Sequence, residues 1–300
     1  MSAEAYKQWF KDSARRLRRG SLAPADRFAA LKRAEQIRAA MRRSEREAFP
    51  AKISDRCPLD PQVLGVLERD GYKAEKLIFQ TRPGVYATAT CYVPTTGKKP
   101  FPAVLGVHGH WSGARRDPVV QARCIGLAKH GFVCLTLDAW GAGERGTTAG
   151  QNEYHGGLNG ASLWPVSTPL HGLQLWDNVR ALDYLQSRPD VDGLKLGCTG
   201  ASGGGNQTTY LTAFDTRIQC GVPVCSVGTF ESYLDTACCV DEVLLEGLEY
   251  AEEGDLLGIV APRALMVVTA SRDSFHFGPI ASGQALDRAR EYFKVFGARI

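Results

Sequence analysis

The sequence predicts an α/β fold on a mostly parallel sheet with helices on both faces, and three observations predict it. From Ala103 onward, short apolar runs alternate with helix-length segments; turn residues fall between them; and Ser202 stands in a small-residue bend directly after one apolar run. Three hundred residues at 44% hydrophobic content are enough to bury one large core.

Taken in order, Pro24 stands where a helix can begin. Phe28, Leu31, Ile37 and Met41 then recur near helical spacing among arginines, so residues 24–46 read as an amphipathic helix that Phe49-Pro50 ends. Its apolar stripe should pack on the rest of the chain or on a second copy, which makes a homodimer the expected assembly. Leu77-Ile78-Phe79 and Val85–Val93 suit an antiparallel start to the sheet. Alternation follows: Ala103–Val107 as strand, Pro118–Lys129 as helix, Phe132–Leu137 as strand, Leu173–Gln186 as helix and Leu194–Thr199 as strand. A helix after Ser202, strands over Gln219–Val227 and Leu265–Thr269, and a helix over Ser282–Phe296 extend the series. The expected organisation is an N-terminal helical extension over 1–72 and one catalytic domain over 73–300. Thr147–His171 and Gly228–Asp255 interrupt the alternation, and interruptions of that length usually shape a pocket.

Charge is uneven. Residues 1–50 hold thirteen Lys/Arg against six Asp/Glu, a balance of +7, which leaves −3 for the rest of a chain whose net charge is +4. No nucleic-acid motif or interleaved aromatic pattern accompanies the basic stretch, so it reads as a solvated helical face and no nucleic-acid partner is expected. No apolar run is long enough to span a bilayer, and Met1–Gly20 is charged where a secretory signal would be apolar. The expectation is a cytoplasmic protein without membrane contact, a removed export signal being the alternative. Nine cysteines, several inside apolar runs (Cys91, Cys134, Cys198, Cys220), favour a reducing compartment. Cys238-Cys239, Cys225 and Cys57 lack C-x-x-C spacing, so neither a metal nor a cofactor is expected.

Gly200-Ala201-Ser202-Gly203-Gly204 lies between the Leu194–Thr199 strand and a helix, the context of a nucleophile elbow. Small residues flank the serine because the bend is strained and neighbouring chains pass close. Acyl transfer also needs a base and donors for the oxygen that becomes negative. The Gly203 N–H would supply one donor from the helix start, and the backbone N–H of His110 or Trp111 a second. His108 should brace that loop rather than act as base, and His130 at a helix end reads as structural. His155 and His171, in the irregular segment, are candidates for touching substrate. Asp273 directly follows an apolar strand, the place of a triad carboxylate, with Glu231 and Asp235 as alternatives. Downstream of it only His276 remains, three residues on. The expectation is therefore that the chain is C-terminally incomplete, lacking the last strand and helix, with its catalytic histidine beyond Ile300; an inactive descendant is the other reading.

From Lys73 onward these residues resemble the α/β-hydrolases, in particular the bacterial acetyl xylan esterase and dienelactone hydrolase-like branch. The motifs that carry the resemblance are Gly106-Val107-His108-Gly109-His110, Asp138-Ala139-Trp140-Gly141-Ala142-Gly143-Glu144-Arg145, Thr199–Gln207 around Ser202, and Ala261-Pro262-Arg263-Ala264-Leu265. The resemblance implies a cofactor-free serine carboxylesterase that forms an acyl-enzyme, with Ser202 as nucleophile, Asp273 as acid and His110 at the oxyanion position. It points to acyl groups on plant polysaccharide. Serine in place of the dienelactone hydrolases' cysteine favours esters. Trp140, Tyr154, His155 and Trp164 are the expected substrate contacts, the aromatic ones as stacking surfaces for sugar rings. A peptidase on the same scaffold and a non-catalytic binding protein are the competing readings.

Overall fold

The computed structural model describes residues 2–17, 23–52, 55–146, 160, 162–236, 239–273 and 275–300. One eight-stranded sheet organises them in the order β1-β2-β3-β5-β4-β6-β7-β8. The strands are β1 (Gln62–Arg69), β2 (Tyr72–Arg82), β3 (Val85–Pro94), β4 (Phe101–Gly106), β5 (Val133–Leu137), β6 (Val191–Ala201), β7 (Ile218–Val224) and β8 (Ala264–Leu265). β1 through β3 pair antiparallel and β3 meets β5 antiparallel. From β5 through β4, β6 and β7 to β8 every pairing is parallel, so the antiparallel start and the parallel body both follow the sequence pattern.

The helices are α1 (Ala3–Leu17), α2 (Arg27–Ser44), α3 (Pro118–Lys129), α4 (Leu170–Ser187), α5 (Gly203–Phe214), α6 (Phe230–Thr236), α7 (Gly247–Tyr250), α8 (Glu253–Gly258) and α9 (Pro279–Val295). One face of the sheet carries α2, α4 and α5 in a continuous core through Ile37, Met41, Leu105, Leu135, Trp176 and Tyr210. On the other face α3 packs through Val120, Cys124 and Ala128 against Ala74, Tyr92 and Cys134. Fifteen of the eighteen residues of α4 are buried, which makes it a central helix rather than an amphipathic surface one. Several of its polar residues are paired: Asp177 with Arg82 and Arg145, His171 with Glu45, Asn178 with Gln207.

Several boundaries differ from the sequence reading. Residues 1–72 are helical only in part, since β1 lies within them and belongs to the sheet. All but one residue of β1 is exposed, so its Val63, Leu64, Val66 and Leu67 show no period of two. In α2 the cap is Asp26, whose side chain accepts the Ala29 N–H, two residues beyond Pro24. Ile37 and Met41 are buried as expected, but Phe28 and Leu31 are 75% and 53% exposed. The buried stripe of α2 is instead Ala30, Ala34, Ile37, Ala40 and Met41, in which the three alanines let the helix lie close to the domain. β8 is two residues long, continued only by a bridge from Val268 to Val224. Cys91, Cys134 and Cys198 are buried, whereas Cys220 is exposed. No described helix is long and apolar enough to cross a membrane.

Candidate active site

β6 ends at Ala201 and α5 begins at Gly203, which leaves Ser202 alone in the bend with φ 57° and ψ −130°. A non-glycine residue in that region stores about 1–3 kcal/mol and persists only where its surroundings over-determine it. They do so here. The Ser202 N–H donates to the Val224 carbonyl of β7 (3.0 Å), and the Ser202 carbonyl accepts from Gly205 (2.6 Å) and Asn206 (3.1 Å). The loop after β4 closes on the bend so tightly that a Cβ on Gly109 would stand 2.4 Å from the Ala201 carbonyl oxygen and 3.1 Å from the Ser202 Cβ. Glycine is required at that position by space alone.

His108 is fully buried and braces this loop, as expected. Its Nε2 accepts the Ala139 N–H (3.1 Å), so the proton sits on Nδ1, which donates to the Gly109 carbonyl (2.8 Å). Burial holds its pKa down to about 4, which keeps it neutral. His110 is different. Its Nε2 lies 3.2 Å from Asp241 and its Nδ1 3.5 Å from Glu242, both carboxylates being buried. Burial alone would lower its pKa, but hydrogen bonds to Asp241 and Cys239 and the two carboxylate charges outweigh it and raise the value to about 10. Its Cε1 lies 2.7 Å from where a Cβ on Gly203 would be, so the ring flanks the residue after the nucleophile. Trp111 is a correction: its N–H turns back to the Gly109 carbonyl at 2.9 Å and is engaged within its own turn. Of the three expected oxyanion amides, those of Gly203 and His110 remain candidates.

Asp273 follows the Val268 bridge, half-buried, and its carboxylate is hydrogen-bonded by Cys225, one residue after β7. His276 sits in the short 3-10 turn Phe275–Phe277, its ring edge-on to Tyr233 (5.8 Å) and Phe277 (4.1 Å). Partial burial lowers its pKa, and the Asp273 charge acts against that, which places the two groups within electrostatic reach of each other. The alternative acid Glu231 is paired with Arg15 of α1 at 2.5 Å. The Asp235 side chain lies outside the described residues.

Other candidates divide in the same way. Trp140 has two guanidinium groups against its ring, Arg145 at 4.7 Å and Arg82 at 5.6 Å, and packs against the main core. Trp164 is 58% exposed in a short 3-10 turn. Tyr154 and His155 lie outside the described residues. His171, expected near substrate, is buried against Glu45 of the segment after α2 (2.9 Å) and edge-on to Tyr210 (4.4 Å), so it ties the extension to the domain. Asp138 is a fully buried anchor, bonded to Arg115, to the Thr88 hydroxyl (2.8 Å) and to the Glu144 N–H (3.2 Å). The Gly228–Asp255 interruption forms three short α-helices and a 3-10 turn at Val240–Glu242, and its Asp241, Glu242, Glu252, Glu253 and Asp255 are buried. Sequence reasoning missed this, because acids in a loop read as solvated.

The sequence pattern of the acetyl xylan esterase (AXE1) family matches residues 66–232, more than half of the chain and all of the motifs from β2 through α6. The chain belongs to the acetyl xylan esterase family. Its α/β-hydrolase fold is the one seen in esterases of that group. The Bacillus subtilis (strain 168) protein YtaP is 29% identical over 198 residues, 62% of this chain and 64% of its own length. Among solved structures, methylesterase BT1017 superposes with a TM-score of 0.77 at 24% identity, over 99% of this chain and 62% of that one. The glucuronoyl esterase from Solibacter usitatus superposes at 0.65 and 18% identity, over 91% and 82%. At such identities the structures establish likeness of fold. The chain spans less than two thirds of the length of YtaP and of BT1017.

Proposed function

We propose that the protein is a serine carboxylesterase acting on acyl or alkyl esters of carbohydrate through an acyl-enzyme. The observation that carries this reading is the strained Ser202 held between β6 and α5. Ser202 Oγ attacks the ester carbonyl carbon while a base takes its proton. The tetrahedral oxyanion is received by the N–H groups of Gly203 and His110, where the α5 dipole also favours negative charge. Collapse of that intermediate expels the alcohol, which takes the proton back from the base, and water then releases the acid by the same steps in reverse.

His276 is the base this reading favours. Among the described histidines, His108 has both ring nitrogens engaged. His110 has its ring nitrogens turned to Asp241 and Glu242, and His171 is buried against Glu45. His130 closes α3 at its C-terminal end. His276 is neutral at neutral pH, as a general base must be, and Asp273 is the carboxylate whose charge would stabilise its protonated form.

The family's name points to acetyl groups on xylan, and the fold shared with a methylesterase and a glucuronoyl esterase widens the class to methyl and glucuronate esters. A fluorophosphonate probe tests the chemistry directly: the intact protein should label at Ser202 and Ser202→Ala should not. Acetate release from acetylated xylan, methanol release from methyl-esterified pectin and alcohol release from a glucuronate ester then rank the substrates. Asp273→Asn and His276→Gln should each lower kcat by about 10⁴ with the fold intact, the loss typical of a triad member. Absence of labelling would leave a binding protein, and turnover of peptides alone would leave a peptidase.

A further inference from the structure

A group of side chains beside the nucleophile bend is not used by the esterase chemistry. His110, from the loop after β4, meets Cys239 and Asp241, from the interruption after α6, so that an imidazole nitrogen, Sγ and a carboxylate oxygen all lie within 4.8 Å of one another. No sequence pattern points to this, because His110 lies far along the chain from Cys239 and Asp241 and the cysteines follow no C-x-x-C spacing.

We propose that His110 Nε2, Cys239 Sγ and an Asp241 carboxylate oxygen form a binding site for a borderline-soft divalent cation, zinc being the natural occupant.

Three geometrical facts support it. First, His110 Nε2 and Asp241 Oδ1 stand 3.2 Å apart. Two ligands each about 2.05 Å from a tetrahedral ion stand about 3.3 Å apart, so this pair already has the spacing of adjacent ligands. Cys239 Sγ lies within 4.8 Å of both other donors, and an ion seated among them would displace the proton that His110 and Asp241 share. Second, the other imidazole nitrogen, Nδ1, faces Glu242 Oε1 at 3.5 Å. A carboxylate on the non-ligating nitrogen is the usual outer partner of a metal-bound histidine, fixing its tautomer and ring orientation. Third, the site is sheltered: Asp241 and Glu242 are 2% and 3% exposed. An N, S, O donor set selects zinc or cobalt over magnesium or calcium, which take oxygen ligands. Three protein ligands leave a fourth position open.

The position gives the site a role. Glu242 Oε1 lies 3.1 Å, and His110 Cε1 2.7 Å, from where a Cβ on Gly203 would be. An ion held here would tie the segment after α6 to the loop whose His110 amide is a candidate oxyanion donor, and so fix that amide against the bend.

The test is metal binding by the full chain, read without reference to turnover. Chelator-stripped protein titrated with Co²⁺ should take up one equivalent, with a thiolate-to-cobalt charge-transfer band and the visible bands of a tetrahedral ion; competition with a chromophoric chelator should give one equivalent of Zn²⁺. Cys239→Ser should remove the charge-transfer band. Glu242→Gln should keep the band and weaken binding by about 10- to 100-fold. Cys220→Ser, which alters an exposed thiol elsewhere, should change nothing. Circular dichroism of each variant separates loss of the site from loss of the fold. The proposal is overturned if no stoichiometric uptake occurs, if the band survives Cys239→Ser, or if Cys220→Ser abolishes it. Fluorophosphonate labelling reports on Ser202 independently, so failure of the metal site and failure of the esterase reading are distinguishable.

Discussion

At Gly109 a single missing methyl group decides whether the candidate site can exist. A side chain there must displace either the Ala201 carbonyl or the Ser202 Cβ, both of which fix the nucleophile bend. Gly109→Ala should therefore lower kcat/KM by about 100-fold, the cost of misplacing a reacting group by roughly an ångström. Probe labelling of Ser202 should slow in parallel, and labelling at the unchanged rate would show that the bend tolerates the group. A second prediction rests on Glu253, fully buried and accepting from the Gly228 N–H (3.1 Å) and the Tyr233 hydroxyl (2.9 Å). Burial outweighs these bonds, and its pKa is pushed up from 4.5 to about 8. The neutral form therefore stabilises the fold fully below about pH 4.5, and the contribution is lost as pH rises through 8. Between those values the group gives unfolding free energy a negative slope approaching about 1.4 kcal/mol per pH unit. Glu253→Gln should flatten that slope and leave the variant the more stable protein at pH 8, as denaturant titration across pH would read. Identical slopes in the two proteins would contradict the assignment.

Elements with a local signal were legible and those defined by partners were not. α3 falls on the residues the sequence assigns because Asp117 caps it, Pro118 opens it and its apolar positions face one layer. Ser202 was legible because its constraint is local: glycines within two residues on either side. β1 was missed because an exposed edge strand carries no alternation, and β8 was over-extended because only two of its residues find a ladder. The His110–Asp241–Glu242 group was invisible for a different reason, since sequence distance hides which acids a buried imidazole meets. The same holds for the contact between His171 of α4 and Glu45, which docks the N-terminal extension. Glu45 is fully buried, and a Cβ on Gly172 would stand 2.2 Å from its Oε2, so the carboxylate is seated closely on α4. Glu45→Ala should cost about 2 kcal/mol by leaving the His171 Nδ1 without its partner. A double-mutant cycle with His171→Ala should recover most of that loss as coupling, whereas additive effects would mean the pair contributes nothing of its own.

Across the whole molecule, one buried charge joins parts that the sequence keeps separate. Asp177 on α4 receives Arg82 from the end of β2 and Arg145 from the turn after β5, the latter at 2.6 Å, and both guanidinium groups lie against the Trp140 ring. Arg82 also bonds the Ala48 carbonyl (3.0 Å) and the Leu173 carbonyl (3.2 Å), so the cluster reaches the N-terminal extension as well. Although burial favours the neutral acid, the two arginine charges prevail and hold the Asp177 pKa below its ordinary value. Its stabilising effect is therefore present at neutral pH and lost as acid protonates it. Asp177→Ala would leave two buried guanidinium groups facing each other, at a cost of about 3–5 kcal/mol. The arrangement also decides between the two roles open to Trp140. If the ring serves as a strut between Arg82 and Arg145, Trp140→Leu should lower thermal stability while KM for any accepted ester stays within about twofold, because removing cation–π packing of about 1–2 kcal/mol acts on the fold and not on substrate affinity. A rise in KM with stability unchanged would return Trp140 to the substrate surface.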